Sequence, residues 1–188
     1  MNGKLSTDYQ AMSVEASTAG TNLVFNGVSS PAVFGSLNNS VSYDRLTLAF
    51  SMSYKLGYYF TRPTISYASL VNQGAGHSDY ALRWQQQGDE QKTNVPAFIY
   101  PVNTLRDGFY SLSEANVFKA DNVRLDYINA SYRFNSGAWK FPMRTLDISL
   151  GMQNAGILWK AIKEKIDPDN PRGIRLSKIY VLSLKGNF

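Results

Sequence analysis

The chain has 188 residues, 44% of them hydrophobic and 13% aromatic, and a formal net charge of +5. It contains no cysteine, which excludes disulfide bonds, thiolate metal sites and a cysteine nucleophile. It also lacks a run of about 18 apolar residues, so a transmembrane helix is excluded, but the composition suits a soluble domain or a transmembrane barrel with a polar lumen equally well. The basic residues do not cluster with interleaved aromatic residues, so no nucleic-acid partner is expected.

The start of the chain shows no pattern of regular structure. Residues 1–33 are rich in Ser, Thr, Gly and Asn, and their first residues lack the apolar segment that a signal peptide requires. We expect an irregular segment here, in a chain that is either cytosolic or a piece of a longer one. The first strand is predicted over residues 34–43, where Leu37, Val41 and Tyr43 share one face and polar side chains share the other.

Residues 45–60 show the clearest pattern in the chain. The even positions, from Leu46 to Phe60, are all large and apolar or aromatic, whereas the odd positions are small or polar except for Tyr59. This alternation predicts a β-strand with one apolar and one polar face, joined to the first strand by a hairpin at Asp44. At roughly 3.3 Å per residue the strand would reach about 50 Å, which favours a tilted strand that crosses a bilayer.

Three further strands are predicted after a long connection, residues 61–120, in which no regular element is clear. Residues 122–134 alternate through Val123, Leu125 and Tyr127 and then change phase at Ile128, as a β-bulge would make them do. Residues 144–153 and 174–188 alternate as well. The connection at 155–173 is long, whereas the links near residue 44 and at 135–143 are short. Tyr43, Tyr132 and Phe134 near the short turns, and Tyr58, Tyr59 and Phe60 at the opposite end, are predicted to form two interfacial aromatic bands.

The alternation of short turns and long loops is typical of outer-membrane barrels. Five strands cannot close a barrel, because the smallest barrels have about eight, and an open sheet would leave two unpaired edges. The predicted fold class is therefore all-β: an antiparallel, up-and-down transmembrane β-barrel segment that other strands must complete. Counting strands back from the end of the chain places the C-terminus on the short-turn side.

Several motifs follow one another in an order and spacing that resemble one family. They are residues 29–39, the segment from Tyr54 to Phe60, Asp79 to Trp84 with Gly88, Asp89, Glu90, Val95 and Pro96, the segment from Asp121 to Leu125, and Gln153 and Asn154 followed by Asp167 and Pro168. The first motif resembles the entry to a late strand of the family, and the second resembles the continuation of that match. The third resembles an Arg-Trp loop, the fourth the opening of the third-last strand, and the fifth the Asn-to-Asp-Pro loop before the last strand. The family is the SusC/RagA family of TonB-dependent outer-membrane importers of Bacteroidota.

The resemblance implies that the chain is the C-terminal part, about five strands, of a roughly 22-stranded barrel with a plugged lumen. Residues 1–33 would be an extracellular loop segment, and residues 34–188 the C-terminal barrel part with outer loops at 61–120 and 155–173. The implied activity is import of an oligosaccharide or peptide, with no covalent chemistry, cofactor or metal. The implied partners are the remaining N-terminal barrel and plug, a SusD-like surface lipoprotein, TonB and outer-membrane lipid. The implied location is the bacterial outer membrane, with extracellular long loops and a periplasmic C-terminus.

Two sets of residues are candidates for function. Tyr80, Arg83 and Trp84 lie in the long outer loop and could contact a ligand or a lid protein through aromatic stacking, although Trp84 could instead anchor the loop's own core. Phe188, with alternate apolar residues before it, resembles the terminal signal that the barrel-assembly machinery reads, although it could merely seal a sheet end. The residues of this second set are Tyr180, Leu182, Leu184 and Phe188.

Catalytic and metal sites are not expected. Asp89 and Glu90 are adjacent in a loop, where extended backbone would point the two carboxylates apart, against their use as a glycosidase pair. Asp167, Asp169 and Asn170 are flanked by prolines, which favours a turn over a calcium site. The alternative function, from another class, is a secreted all-β carbohydrate-binding module that uses Trp84, Trp139 and Trp159.

Overall fold

The computed structural model describes residues 6–20, 23–135, 143–173 and 176–188. The chain forms two compact units. One, the sheet unit, comprises Val28–Tyr58 and Lys119–Phe188, and the other, the helical unit, comprises Met1–Gly27 and Tyr59–Phe118. In chain order the elements are α1 (Tyr9–Ala19), β1 (Val33–Tyr43), β2 (Leu46–Leu56), β3 (Tyr59–Thr61), α2 (Tyr67–Gln73), α3 (Asp79–Leu82), α4 (Thr104–Ser111), β4 (Val117–Lys119), β5 (Asn122–Asn135), β6 (Thr145–Lys160) and β7 (Ile179–Asn187).

The sheet unit is built on one five-stranded sheet in the order β1-β2-β5-β6-β7. Every neighbouring pair is antiparallel, and the long strands follow one another across the sheet in chain order. The prediction of an antiparallel, up-and-down β architecture is therefore confirmed. The number of strands in a complete barrel stays a prediction.

The two faces of the sheet differ in polarity along its whole width. Partners in adjacent antiparallel strands point to the same side of the sheet, so the strand register assigns each row of side chains to a face. One row is apolar: Val41, Leu48, Ala130, Leu150 and Leu182. The next row, on the opposite face, is polar: Ser42, Thr47, Ser131, Ser149 and Ser183. We refer to these as the apolar face and the polar face.

The local features predicted at the hairpin and the bulge are confirmed. Tyr43 pairs with Leu46 across a tight turn in which Asp44 has a φ of 51°, a left-handed conformation that Asp tolerates better than most residues. In β5 the register passes from Tyr127, opposite Ser51, to Leu125, opposite Met52. Asp126 is the extra residue, and it accounts for the change of phase in the sequence.

Strand lengths differ from the prediction at three places. The strand predicted over residues 45–60 was too long: β2 ends at Leu56 because Gly57 has a φ of 76°, which lies outside the extended range of a strand. The strand predicted over 144–153 was too short, since β6 continues to Lys160 through the first part of the connection expected at 155–173. The last strand begins at Ile179; residues 174 and 175, like residues 136–142 of the predicted short link, lie outside the described part of the chain.

The helical unit contradicts part of the prediction of irregular chain over residues 1–33 and 61–120, since it has helices within both ranges. It contains α1, α2, α3, α4 and the short sheet of β3 and β4. Two of these helices begin at side-chain caps: Ser66 accepts from the backbone N–H of Ser69 at α2, and Asn103 accepts from that of Arg106 at α4. A small core holds the unit together: Ile65, Tyr67, Val95 and Tyr110, with Leu70 and Val102 packed against it. None of the helices in the described ranges has the length and apolar character needed to cross a membrane.

Candidate functional site

A pocket of about 860 Å³ opens on the sheet unit. Its sides come from the ends of β2, β5 and β6 and from the segment that connects β6 to β7. The lining is mixed, since it contains both charged and apolar side chains. The lining residues used below are Ser53, Lys55, Arg124, Asp126, Asn154, Ile157, Leu158, Lys160, Asp167, Asp169, Leu176 and Lys178.

A cluster of charges closes one side of the pocket. Arg124 binds the carboxylate of Asp167, and its Nε lies 2.7 Å from Oδ2 of Asp169. The Nζ of Lys55 lies 3.1 Å from Oδ1 of Asp169. The hydroxyl of Tyr58 donates to the same oxygen at 2.9 Å. Strands β2 and β5 are thereby tied to the turn that begins at Asp167, and we name these residues the rim cluster.

The rim cluster shifts the pKa of two of its members. Burial alone would raise the pKa of Asp169, but the hydrogen bonds from Lys55 and Tyr58 and the positive charge of Arg124 outweigh burial and lower it. Burial raises the pKa of the Tyr58 hydroxyl, and its hydrogen bond to the Asp169 carboxylate raises it further. At neutral pH the cluster therefore holds an ionised Asp169 and a protonated Tyr58, which donates its hydrogen bond.

The carboxylates of the turn after β6 belong to this cluster. Asp167 and Asp169 are each bound by Arg124, and the backbone N–H of Asn170 donates to the carbonyl of Asp167 at 3.1 Å, which agrees with the predicted turn. Among the described residues no group of three or more His, Asp or Glu side chains is placed to hold a metal ion.

Sequence reasoning missed most of the rim cluster. Tyr58 was assigned to an aromatic band at the membrane interface, and this was wrong, since its side chain is buried and its hydroxyl bonds to Asp169. Asn122, which donates to that hydroxyl at 2.9 Å, was not singled out. Two features of the sequence could have indicated the cluster: the polar residues Asp121 and Asn122 at the start of an apolar strand, and the Asp-Pro-Asp turn. The partners of these residues, however, lie more than 40 residues away in the chain.

The candidate residues of the long loop lie on α3 and just after it, in the helical unit. The guanidinium carbon of Arg83 lies 3.9 Å from the ring centroid of Tyr80, and Nη1 of Arg83 donates to the carbonyl of Tyr80 at 2.6 Å. Tyr80 is 39% exposed and Trp84 is 42% exposed. The structure thus joins Tyr80 and Arg83 in one stacked, accessible pair and leaves the neighbouring indole of Trp84 partly open.

Trp84 is held at its polar edge by the loop that follows. Its Nε1 donates to Oε2 of Glu90 at 3.1 Å, and its backbone N–H donates to the carbonyl of Val95 at 3.0 Å. Asp89 accepts from the backbone N–H groups of Gln85 and Gln86, and these bonds lower the pKa of its carboxyl group. Asp89 and Glu90 therefore shape the loop that presents Trp84.

Beneath this surface a network of buried polar groups fixes the helical unit. Arg62 donates to Oδ1 of Asp79 at 2.6 Å, and the backbone N–H of Ile65 donates to Oδ2 at 3.2 Å. Asp107 accepts from the backbone N–H groups of Tyr67 and Ala68 at the start of α2. These contacts join segments far apart in the chain, and those to Asp79 hold the first residue of α3 in place.

The residues of the predicted assembly signal lie along the last strand and one residue beyond it. Leu182 and Leu184 pair with Leu150 and Ile148, and Tyr180 pairs with Met152, so all three continue the apolar face. Phe188 follows the end of β7 at Asn187 and is largely exposed. The register gives Tyr180, Leu182 and Leu184 a common orientation, whereas a role of the four residues in assembly stays a prediction.

A comparison with protein-family models and with curated proteins finds no match. Solved structures do match in fold. The RagAB peptide importer in its open-open state shares 18% identity with a TM-score of 0.55, its closed-closed state 17% with 0.54, and a further structure of the RagAB peptide transporter 17% with 0.55. Each alignment covers 87% of this chain and 18% of the solved chain.

The described fold is therefore an antiparallel β-sheet segment with one apolar and one polar face, of the kind present within these larger transporter chains. The chain spans about a fifth of their length. Identity at this level shows likeness of fold alone.

Proposed function

We propose that the chain forms the C-terminal part of the barrel of a SusC/RagA-like, TonB-dependent outer-membrane importer of oligosaccharides or peptides. The apolar face would contact outer-membrane lipid, and the polar face would line an aqueous interior that the remaining N-terminal barrel and the plug complete. The segments before β1, between β2 and β5, and between β6 and β7 would be extracellular, and the C-terminus periplasmic. The chain would perform no covalent chemistry.

The uncovered apolar face is the observation that carries this proposal. Leu46 and Leu48 on β2, Leu150 on β6 and Leu182 on β7 share that face and are 47%, 39%, 61% and 67% exposed. In water, contiguous exposure of this kind would favour aggregation or binding, whereas lipid would solvate it. The fold likeness to peptide importer chains supports the same interpretation.

The edges of the sheet point to missing strands. β1 and β7 each pair on one side only within the described sheet, and each carries a row of backbone donors and acceptors that in a bilayer must be satisfied by another strand. Further strands of a barrel would satisfy both edges. The stacked pair of Tyr80 and Arg83, with Trp84, would then be a surface for the ligand or for a SusD-like lipoprotein.

The secreted carbohydrate-binding module is the weaker candidate. A sandwich would bury the apolar face under a second sheet, and in the described part of the sheet unit that face is open. Of its three candidate tryptophans, Trp84 and Trp159 are about half-exposed but belong to different units, and Trp139 lies outside the described residues.

The test is localisation combined with uptake. Membranes from the source bacterium are fractionated and probed for the chain, and cells with and without its gene are supplied with labelled peptides and oligosaccharides, before and after dissipation of the proton gradient. We expect the chain in the outer-membrane fraction and a gradient-dependent uptake that is lost with the gene. Recovery of the chain as a soluble monomer would refute the proposal.

A further inference from the structure

Three charged residues of the pocket lining lie outside the rim cluster: Asp126, Lys160 and Lys178. Lys55 and Arg124 pair with Asp167 and Asp169. The Nζ of Lys160 donates to the carbonyls of Glu164 and Ile166. Once these are assigned, one carboxylate and one ammonium group of the lining remain, those of Asp126 and Lys178.

Asp126 is the bulge residue of β5, and the bulge turns it toward the polar face. Its Oδ1 accepts a hydrogen bond from the hydroxyl of Ser53 at 2.9 Å, and within the described ranges it forms no ion pair. A bulge often redirects a side chain next to a functional site. The Ser53 hydroxyl holds the carboxylate through Oδ1, so Oδ2 is the oxygen that a cationic ligand would contact.

Lys178 precedes β7 and is exposed. It has no carboxylate within ion-pair distance in the part of the chain that the structure describes. The amide of Asn154 donates to the carbonyl of Ser177 at 3.1 Å, which fixes the backbone beside Lys178. No carboxylate among the described residues therefore competes with an anionic ligand for this ammonium group.

The rest of the lining includes apolar side chains as well as polar ones. Ile157, Leu158 and Leu176 border the pocket, and its volume of about 860 Å³ falls within the range of roughly 300–1,000 Å³ that is usual for small-ligand sites. A ligand that matches this arrangement has a cationic group, an anionic group and an apolar part. An oligosaccharide of neutral sugars has neither charge.

We propose that this pocket binds a short peptide by its free termini, with the N-terminal ammonium on Asp126, the C-terminal carboxylate on Lys178 and an apolar side chain against Ile157 and Leu176. The inference rests on the proposed importer function and narrows its substrate class to unblocked peptides. Because the contacts are made to the termini and to one apolar surface, the pocket would accept many sequences.

The test measures binding of one peptide in three forms. The chain is extracted in detergent together with the polypeptide that supplies the other strands of the barrel. Calorimetry then measures the affinities for Ala-Leu-Ala, its C-terminal amide and its N-acetyl derivative, with maltotriose as the neutral sugar. We expect each blocking group to weaken binding about fivefold, the size of one partly solvated ion pair. Lys178→Gln should abolish the preference for acid over amide, and Asp126→Asn the preference for free over acetylated peptide.

Controls separate these effects from folding. Lys163→Gln and Asp44→Asn remove one exposed ammonium group and one exposed carboxylate outside the pocket and should leave all three affinities unchanged. Asn at position 126 keeps an oxygen for the Ser53 hydroxyl, so the variant should fold. Equal affinity for the free and blocked peptides in the unmodified protein would overturn the inference, and that comparison needs no variant.

Failure of this inference can be told apart from failure of the importer. If the chain is in the outer membrane and peptide uptake depends on its gene, but blocked and free peptides bind equally, only the pocket assignment is wrong. If the chain is absent from the outer membrane and no uptake depends on it, the proposed function is wrong.

Discussion

Substitution of Leu150 by Lys tests whether lipid or water covers the apolar face. Leu150 lies in the middle of the apolar row, between Ala130 on β5 and Leu182 on β7. Its neighbour Ser149 lies on the polar face, between Ser131 and Ser183. Ser149→Lys is therefore a matched control, one residue away on the same strand.

The expected cost follows from the position of Leu150 along β6. It lies five residues after Thr145, the first residue of the strand, so about 17 Å along it at roughly 3.4 Å per residue. With a tilt of about 45° this becomes roughly 12 Å of height, half of an apolar band about 25 Å tall. A lysine at the bilayer midplane costs about 2–4 kcal/mol, whereas a lysine at an exposed position in water costs within about 0.5 kcal/mol.

The assay is urea unfolding of the refolded protein in lipid vesicles, with the free energy of unfolding compared among the wild type, Leu150→Lys and Ser149→Lys. We expect a loss of about 3 kcal/mol for Leu150→Lys and less than about 0.5 kcal/mol for Ser149→Lys. Equal losses for the two variants, or a small loss for Leu150→Lys, would mean that lipid does not cover this face.

Three further predictions concern the rim cluster, the end of β2 and the last residue. Asp169→Asn should lower the free energy of unfolding by about 2 kcal/mol at pH 7. Because folding lowers the pKa of Asp169, the carboxylate stabilises the fold fully above its unfolded pKa of about 3.9, and this stabilisation is lost as the pH falls through the lower folded pKa. The free energies of the two proteins, measured by urea unfolding, should therefore converge in acid. Gly57→Ala should lower the free energy of unfolding by about 1–2 kcal/mol, since φ is 76° and the new Cβ would lie 3.2 Å from that of Ala32. The control is Gly76→Ala, whose Cβ meets no neighbour within 4 Å and which should leave the free energy of unfolding unchanged. Deletion of Phe188 should lower the fraction of chain that reaches the folded, heat-modifiable form on a gel, Phe188→Tyr should not, and equal yields would disprove the assembly signal.

The strands and their faces were predictable because successive side chains of a strand point to opposite faces, so apolar and polar residues alternate in the sequence. The alternation from Leu46 to Leu56 predicted both β2 and its apolar side, and the change of phase at Tyr127 and Ile128 predicted the bulge. The strand ends were less accurate, since alternation alone does not stop at Gly57. There the backbone conformation ends the strand although the apolar pattern continues to Phe60.

The helical unit was not predicted because its helices are short and held by distant groups. α2 and α4 have 7 and 8 residues, lengths at which isolated helices are unstable and local periodicity is weak. Asp107 stabilises the start of α2 from 40 residues away, and Arg62 reaches both Asp79 and Asn116. Such partners are set by tertiary packing, and no local pattern indicates them.

The amino-acid order by itself determined that this chain forms antiparallel strands with one apolar and one polar face, because side chains alternate across a strand with a period of two. Only the tertiary structure decided which polar residues meet. It brought Asp169 to Lys55, Tyr58 and Arg124, and it placed Asp126 and Lys178 in one pocket, neither of them in an ion pair among the described residues. Ion pairs depend on distances in space, and residues separated by more than 40 positions leave no periodic trace in the chain.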